Sequence, residues 1–98
     1  MAFNNLQNND IVSSSIDIMV YVGQTMKKFR LDNNMSGEVL GNIIGVSQQQ
    51  ISRYERGESE ITVRRLDEIA LAFNMTLFQF FEYIYHLVIN DLGYINKN

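Results

Sequence analysis

The sequence contains no cysteine, no proline and no tryptophan, and its one histidine is His86. Without cysteine there is no disulfide framework, no thiolate zinc site and no thiol nucleophile, a composition that suits a reducing compartment. One histidine cannot build a histidine-rich metal site or a pair of imidazole bases. With no proline, nothing breaks a long helix from within. Charge is sparse as well. Only 19% of residues are charged, and the formal net charge of −3 argues, as an average, against a polyanionic partner. Long apolar runs are missing too. Ile69 to Phe81 carries no charge, but Asn74, Thr76 and Gln79 interrupt it, well short of the ~20 apolar residues of a membrane helix. Met1 to Asn5 has neither the cationic nor the apolar segment of a secretory leader. These absences predict a soluble, cytoplasmic protein with no membrane partner.

What is present is one domain's worth of chain: 98 residues, 46% of them apolar. Residues 1–13 are rich in Asn and Gln and read as a loose arm; residues 93–98 read as a flexible tail. Between them, over 14–92, helix signals recur and no alternating strand pattern is found. A first helix is expected from about Asp17 to Asn33, capped from the Ser13-Ser14-Ser15 cluster, with Met19, Val22, Met26 and Phe29 as its buried stripe. Ser36 caps a second, with Val39, Leu40, Ile43 and Ile44 facing inward and Gly45 as its stop. Ser47 and Gln50 fit a capping box at the start of a third helix, which ends at Gly57. Thr62 caps a fourth, closed by Asn74. Thr76 and Gln79 form another capping box, opening a fifth helix over 77–90. The fold class is therefore all-α, with five helices.

Helices two and three, joined by a tight glycine turn with a Ser cap on the second, make a helix-turn-helix arrangement. Gly41 sits where the two helices cross, and Val46 and Ile51 are spaced to lock them together. Gln48, Gln49, Ser52 and Arg53 are left pointing outward from helix three. Gln can bond an adenine edge in bidentate fashion, and Arg can do the same with guanine. Such a helix is equipped to read a major groove. Gln50 reads as the capping partner instead. The run from Leu40 through Gly41, Gly45, Val46 and Ser47 to Ile51-Ser52-Arg53-Tyr54-Glu55-Arg56-Gly57 resembles the Cro/C1-type (Xre) helix-turn-helix regulators of bacteria and phage. The resemblance covers about residues 20–82. It implies a DNA-binding transcription regulator with a double-stranded promoter or operator as partner. It assigns base reading to Gln48, Gln49, Ser52 and Arg53, phosphate contact to Arg56 and Arg64, and a structural ion pair to Arg30 and Glu55. Two features depart from the family pattern: Gly37 stands where a phosphate-binding Gln is common, and the loop after Gly57 carries Glu58 and Glu60. The Asn-rich start and aromatic end are similar to small regulators encoded with fimbrial operons.

The fifth helix is apolar on two sides. Leu77, Phe80 (or Phe81), Ile84, Leu87 and Val88 suit the core, while Phe78, Phe81, Tyr85 and Ile89 form a second stripe that predicts a homodimer interface. His86, between Tyr85 and Leu87, reads as a core or interface residue. No carboxylate pair, phosphate loop or nucleophile motif is found, so no catalytic residue, metal, cofactor or small-molecule substrate is expected. The alternative to a DNA-binding regulator is an antitoxin-like or adaptor module, with the same fold and an aromatic helix that binds another protein. The charge average conceals a dipole. Residues 27–65 hold seven bases against five acids, a net of +2, and the remainder of the chain carries −5. The basic part surrounds the reading helix. With so few cations, direct base contacts must carry much of any specificity.

Overall fold

In a computed structural model, described over residues 17–93, five α-helices follow one another and no strand occurs among those residues. They are α1 (Ile18–Asp32), α2 (Gly37–Ile44), α3 (Gln48–Glu55), α4 (Val63–Ala72) and α5 (Leu77–Leu92). The expected arm, and the tail beyond Gly93, lie outside the described residues.

Capping chemistry sets the boundaries. Ser36, Ser47, Thr62 and Thr76 have extended backbones, and their hydroxyl oxygens accept the N–H groups of Val39, Gln50, Arg65 and Gln79. Each bond satisfies a donor that would otherwise lack an intrahelical partner. The cap of α1 is Asp17, whose carboxylate accepts the Met19 N–H at 3.1 Å, rather than the serine cluster expected. An acid placed directly before the first turn also meets the positive end of the helix dipole. Thr76 and Gln79 form the full capping box. Ser47 and Gln50 form only half of one, because the Gln50 amide donates to Ser59 Oγ at 3.1 Å instead of returning to Ser47. Gly45 closes α2 in the left-handed conformation. Helix α5 is longer than the expected 77–90: it runs to Leu92 and ends at left-handed Gly93.

Helix α1 packs on α3 and α5, α2 on α3 and α4, and α4 on α5. The shared core contains Val22 and Met26 from α1, Leu40 and Ile44 from α2, Ile51 and Tyr54 from α3, Leu66 and Ile69 from α4 with Phe73 at its C-terminal cap, and Phe80 and Ile84 from α5. Phe29 joins three helices, with ring centroids 6.1 Å from Phe73, 6.2 Å from Phe80 and 5.0 Å from Tyr83, the last edge-on. Thr25 is buried among apolar neighbours, and its hydroxyl donates to the Tyr21 carbonyl at 2.8 Å, so no polar atom is stranded. Desolvation, followed by the Asp91 carboxylate, pushes the Tyr21 phenol above its usual range.

Two expectations about packing fail. Val39 and Ile43 are 45% and 52% exposed, not inward-facing. An eight-residue helix offers the core one stripe, and Leu40, Gly41 and Ile44 fill it; Val39 and Ile43 lie about 100° around the axis from Leu40 and Ile44. Ile89, expected on the dimer stripe, is only 7% exposed and so is already covered by the chain itself.

The crossing of α2 and α3 is held close at Gly41, where an added Cβ would stand 2.5 Å from the Val46 carbonyl oxygen. At Gly37 the same addition would meet Gln48 and Ile51 side chains at 3.5 and 3.7 Å, ordinary contact distances. Gly41→Ala is therefore expected to cost about 1–3 kcal/mol, the scale of overpacking. Gly37→Ala should leave stability within about 1 kcal/mol of the parent. Urea denaturation followed by circular dichroism checks both.

Candidate nucleic-acid interface

The position of α3 depends on two contacts with α1. The first is an ion pair. Arg30 donates from Nε to Glu55 Oε2 at 2.7 Å and from Nη2 to Oε1 at 2.9 Å, while its Nη1 donates to the Met35 carbonyl at 2.8 Å. The two side chains are 13% and 8% exposed. The hydrogen bonds to Glu55 raise the Arg30 pKa further above its already high range, so the guanidinium remains charged. One side chain thus joins α1, the α1–α2 loop and the end of α3. The second contact is a close approach at Gly23, where a Cβ would lie 2.5 Å from the carbonyl oxygens of both Tyr54 and Glu55. Local sequence pattern gives Gly23 no distinct role. Its steric role is visible once the helices are placed.

With Ile51 and Tyr54 buried against this framework, the opposite side of α3 faces outward. Gln48, Gln49 and Arg53 are exposed, and Ser52 is half-buried beside them. Positions 48, 49, 52, 53 and 56 recur at three- and four-residue intervals, so they share one face. The structure therefore brings together all four expected base-reading positions, with Arg56 at the helix end. Gln50 does not belong to this face; it anchors the following loop through Ser59.

The surrounding cations are unequally available. Arg56 is held in a fork by Glu58, with Nε to Oε2 at 3.0 Å and Nη2 to Oε1 at 3.1 Å. The Arg56 guanidinium in turn holds the Glu58 carboxyl below the usual carboxylate range. Arg65 donates to the Ile44 carbonyl at the end of α2 and to Glu68 Oε1 at 2.9 Å, which explains a cation in the first turn of α4. Sequence reasoning had no signal for that bond, since it spans two helices. Arg64, by contrast, is exposed, and no ion pair is made by it or by Arg53 among the described residues.

Residues 26–80 match a helix-turn-helix family model of the Cro/C1 type, over more than half of the chain. The chain belongs to the Cro/C1-type helix-turn-helix family. Among curated relatives of this helix-turn-helix chain, an uncharacterized HTH-type transcriptional regulator, y4aM of Sinorhizobium fredii, is 37% identical over 70 residues, covering 71% of this chain and 48% of the relative. The antitoxin PezA of Streptococcus pneumoniae is 29% identical over 55 residues, covering 56% of this chain and 35% of that protein. The chain thus spans about half the length of the first of these relatives, or less. In shape it is similar to the clp gene regulator ClgR of Corynebacterium glutamicum, with a TM-score of 0.66 over 80% of this chain and 88% of that one, at 19% identity. That likeness shows the all-α fold. The fimbrial association suggested by the chain's two ends is not shown by these relatives. Among the described residues, no helix is long and apolar enough to cross a membrane.

Because Arg30 and Glu55 are largely enclosed, removing either strands a charge. Arg30→Ala and Glu55→Ala are each expected to cost about 3–5 kcal/mol, with the double variant losing less than the sum. Thermal and urea unfolding of the three variants provides the check, and any loss of binding in the single variants then reports a displaced or melted α3.

Proposed function

We propose that this helix-turn-helix chain is a sequence-specific DNA-binding transcriptional regulator that inserts α3 into the major groove and acts as a homodimer. The observation carrying the reading is the exposed face of α3, where Gln48, Gln49 and Arg53 stand clear of the core beside Ser52. These side chains supply paired donors and acceptors that match adenine and guanine edges. The same face includes no carboxylate between Gln48 and Arg53 to repel the duplex. In this reading Arg64, at the start of α4, and Arg56, once freed from Glu58, contact phosphate.

Dimerisation is supported by Phe78, which is 80% exposed on the first turn of α5, and by Phe81 at 39%. Tyr85 is half-buried on the same helix. Large exposed aromatics on one helix suit a second copy, and paired readers span half-sites ~34 Å apart. Ile89 is not part of this surface. In this reading the chain is a soluble, cytoplasmic regulator whose partner is promoter or operator DNA.

The PezA likeness favours a second reading, in which the aromatic face of α5 holds a foreign protein. Co-purification of one stoichiometric foreign partner, with no salt-sensitive duplex binding, would select it over the first.

Gln49→Ala with Arg53→Ala should keep the fold, since both side chains are outside the core. On promoter DNA the double variant is expected to lose tenfold or more in affinity, from about 1–3 kcal/mol per base contact. An anisotropy titration that finds both affinity and site preference unchanged would remove the contact assignment. Phe78→Glu and Phe81→Glu are expected to yield monomers of normal thermal stability in light scattering at micromolar concentration. A wild-type monomer under those conditions would contradict the dimer.

A further inference from the structure

Glu58 occupies an unusual position for an acid. It follows α3 directly, near the negative end of that helix dipole, where a carboxylate is disfavoured. It is nevertheless fixed there. The Glu58 N–H donates to the Arg53 carbonyl and the Gly57 N–H to the Tyr54 carbonyl, both at 3.0 Å. Gln50 holds the next residue, Ser59, from the side. The carboxylate therefore stands at a set place beside Arg56, and its two oxygens meet the guanidinium in the planar fork that a phosphate would use. Arg53 also lies within its electrostatic reach.

We propose that Glu58 is a specificity-determining residue that acts as an intramolecular stand-in for DNA phosphate, occupying Arg56 until the duplex displaces it. The inference rests on the DNA-binding reading above. A phosphate contact adds affinity for every sequence alike, so withholding one lowers non-specific binding and leaves discrimination to Gln48, Gln49 and Arg53. The pair is solvent-exposed, at 56% and 54%, so exchange of one anion for another is easy. Glu60, in the same loop, is exposed and makes no ion pair among the described residues, and so serves as the charge-matched control.

The test is anisotropy titration of the full chain on a random-sequence duplex over a salt series, with thermal melts of each variant. Glu58→Gln is expected to bind about five- to tenfold tighter at ~0.1 M salt, with a salt slope steeper by about 0.9 per protomer, the value for one released counterion. Glu60→Gln should gain less and leave the slope unchanged. In an Arg56→Ala background, the gain from Glu58→Gln should fall to that of Glu60→Gln. If Glu58→Gln matches wild type or Glu60→Gln, or keeps its full gain in Arg56→Ala, the proposal is overturned while DNA binding stands. If neither wild type nor Glu58→Gln shows salt-sensitive binding to the duplex, the DNA-binding reading fails with it.

Discussion

The forked ion pair between Arg30 and Glu55 is the contact on which the rest of the site depends. Helix α3 has eight residues, too few to hold its shape or place alone, and only Ile51 and Tyr54 of it are buried. Its outward face is useful only if its axis is fixed. Arg30 supplies that fixity with three hydrogen bonds from one side chain, two to α3 and one to the loop ahead of α2. Gly23 complements it by letting the carbonyl end of α3 rest directly on α1. Removing either contact frees the helix that carries Gln48, Gln49 and Arg53.

Electrostatics around α3 sharpen the meaning of the acidic average. The positive charge is gathered in residues 27–65, yet much of it is already engaged. Arg30 serves the core, Arg65 caps α2 and pairs with Glu68, Lys28 pairs with Asp32, and Arg56 is held by Glu58. Lys27, Arg53 and Arg64 remain exposed and make no ion pair among the described residues. In the proposed function so few free cations add little phosphate attraction, and discrimination falls to the base edges.

Much of this was legible in the residues. Hydroxyl caps at Ser36, Ser47, Thr62 and Thr76 announced four helix starts, because the cap chemistry is local and the spacing to the bonded N–H is fixed. The helix-turn-helix, the outward residues of α3 and the Arg30–Glu55 pair were also readable, the pair through family resemblance. What escaped was non-local. Gln50 satisfied a capping pattern but found Ser59, Arg65 found a carbonyl twenty-one residues away, and Gly23 met a neighbouring helix. Val39 and Ile43 were apolar enough for the core, but a helix of two turns has only one face to give it. Periodicity counts apolar positions; it does not say how many neighbours are available to cover them.

Whether α3 reads base edges in the major groove is decided by methylation interference on duplexes the protein selects from a random pool. Methyl groups at guanine N7, a major-groove acceptor, are expected to block binding within two half-sites about 10 base pairs apart. Interference confined to adenine N3 in the minor groove, or failure to retain any duplex, would contradict major-groove reading.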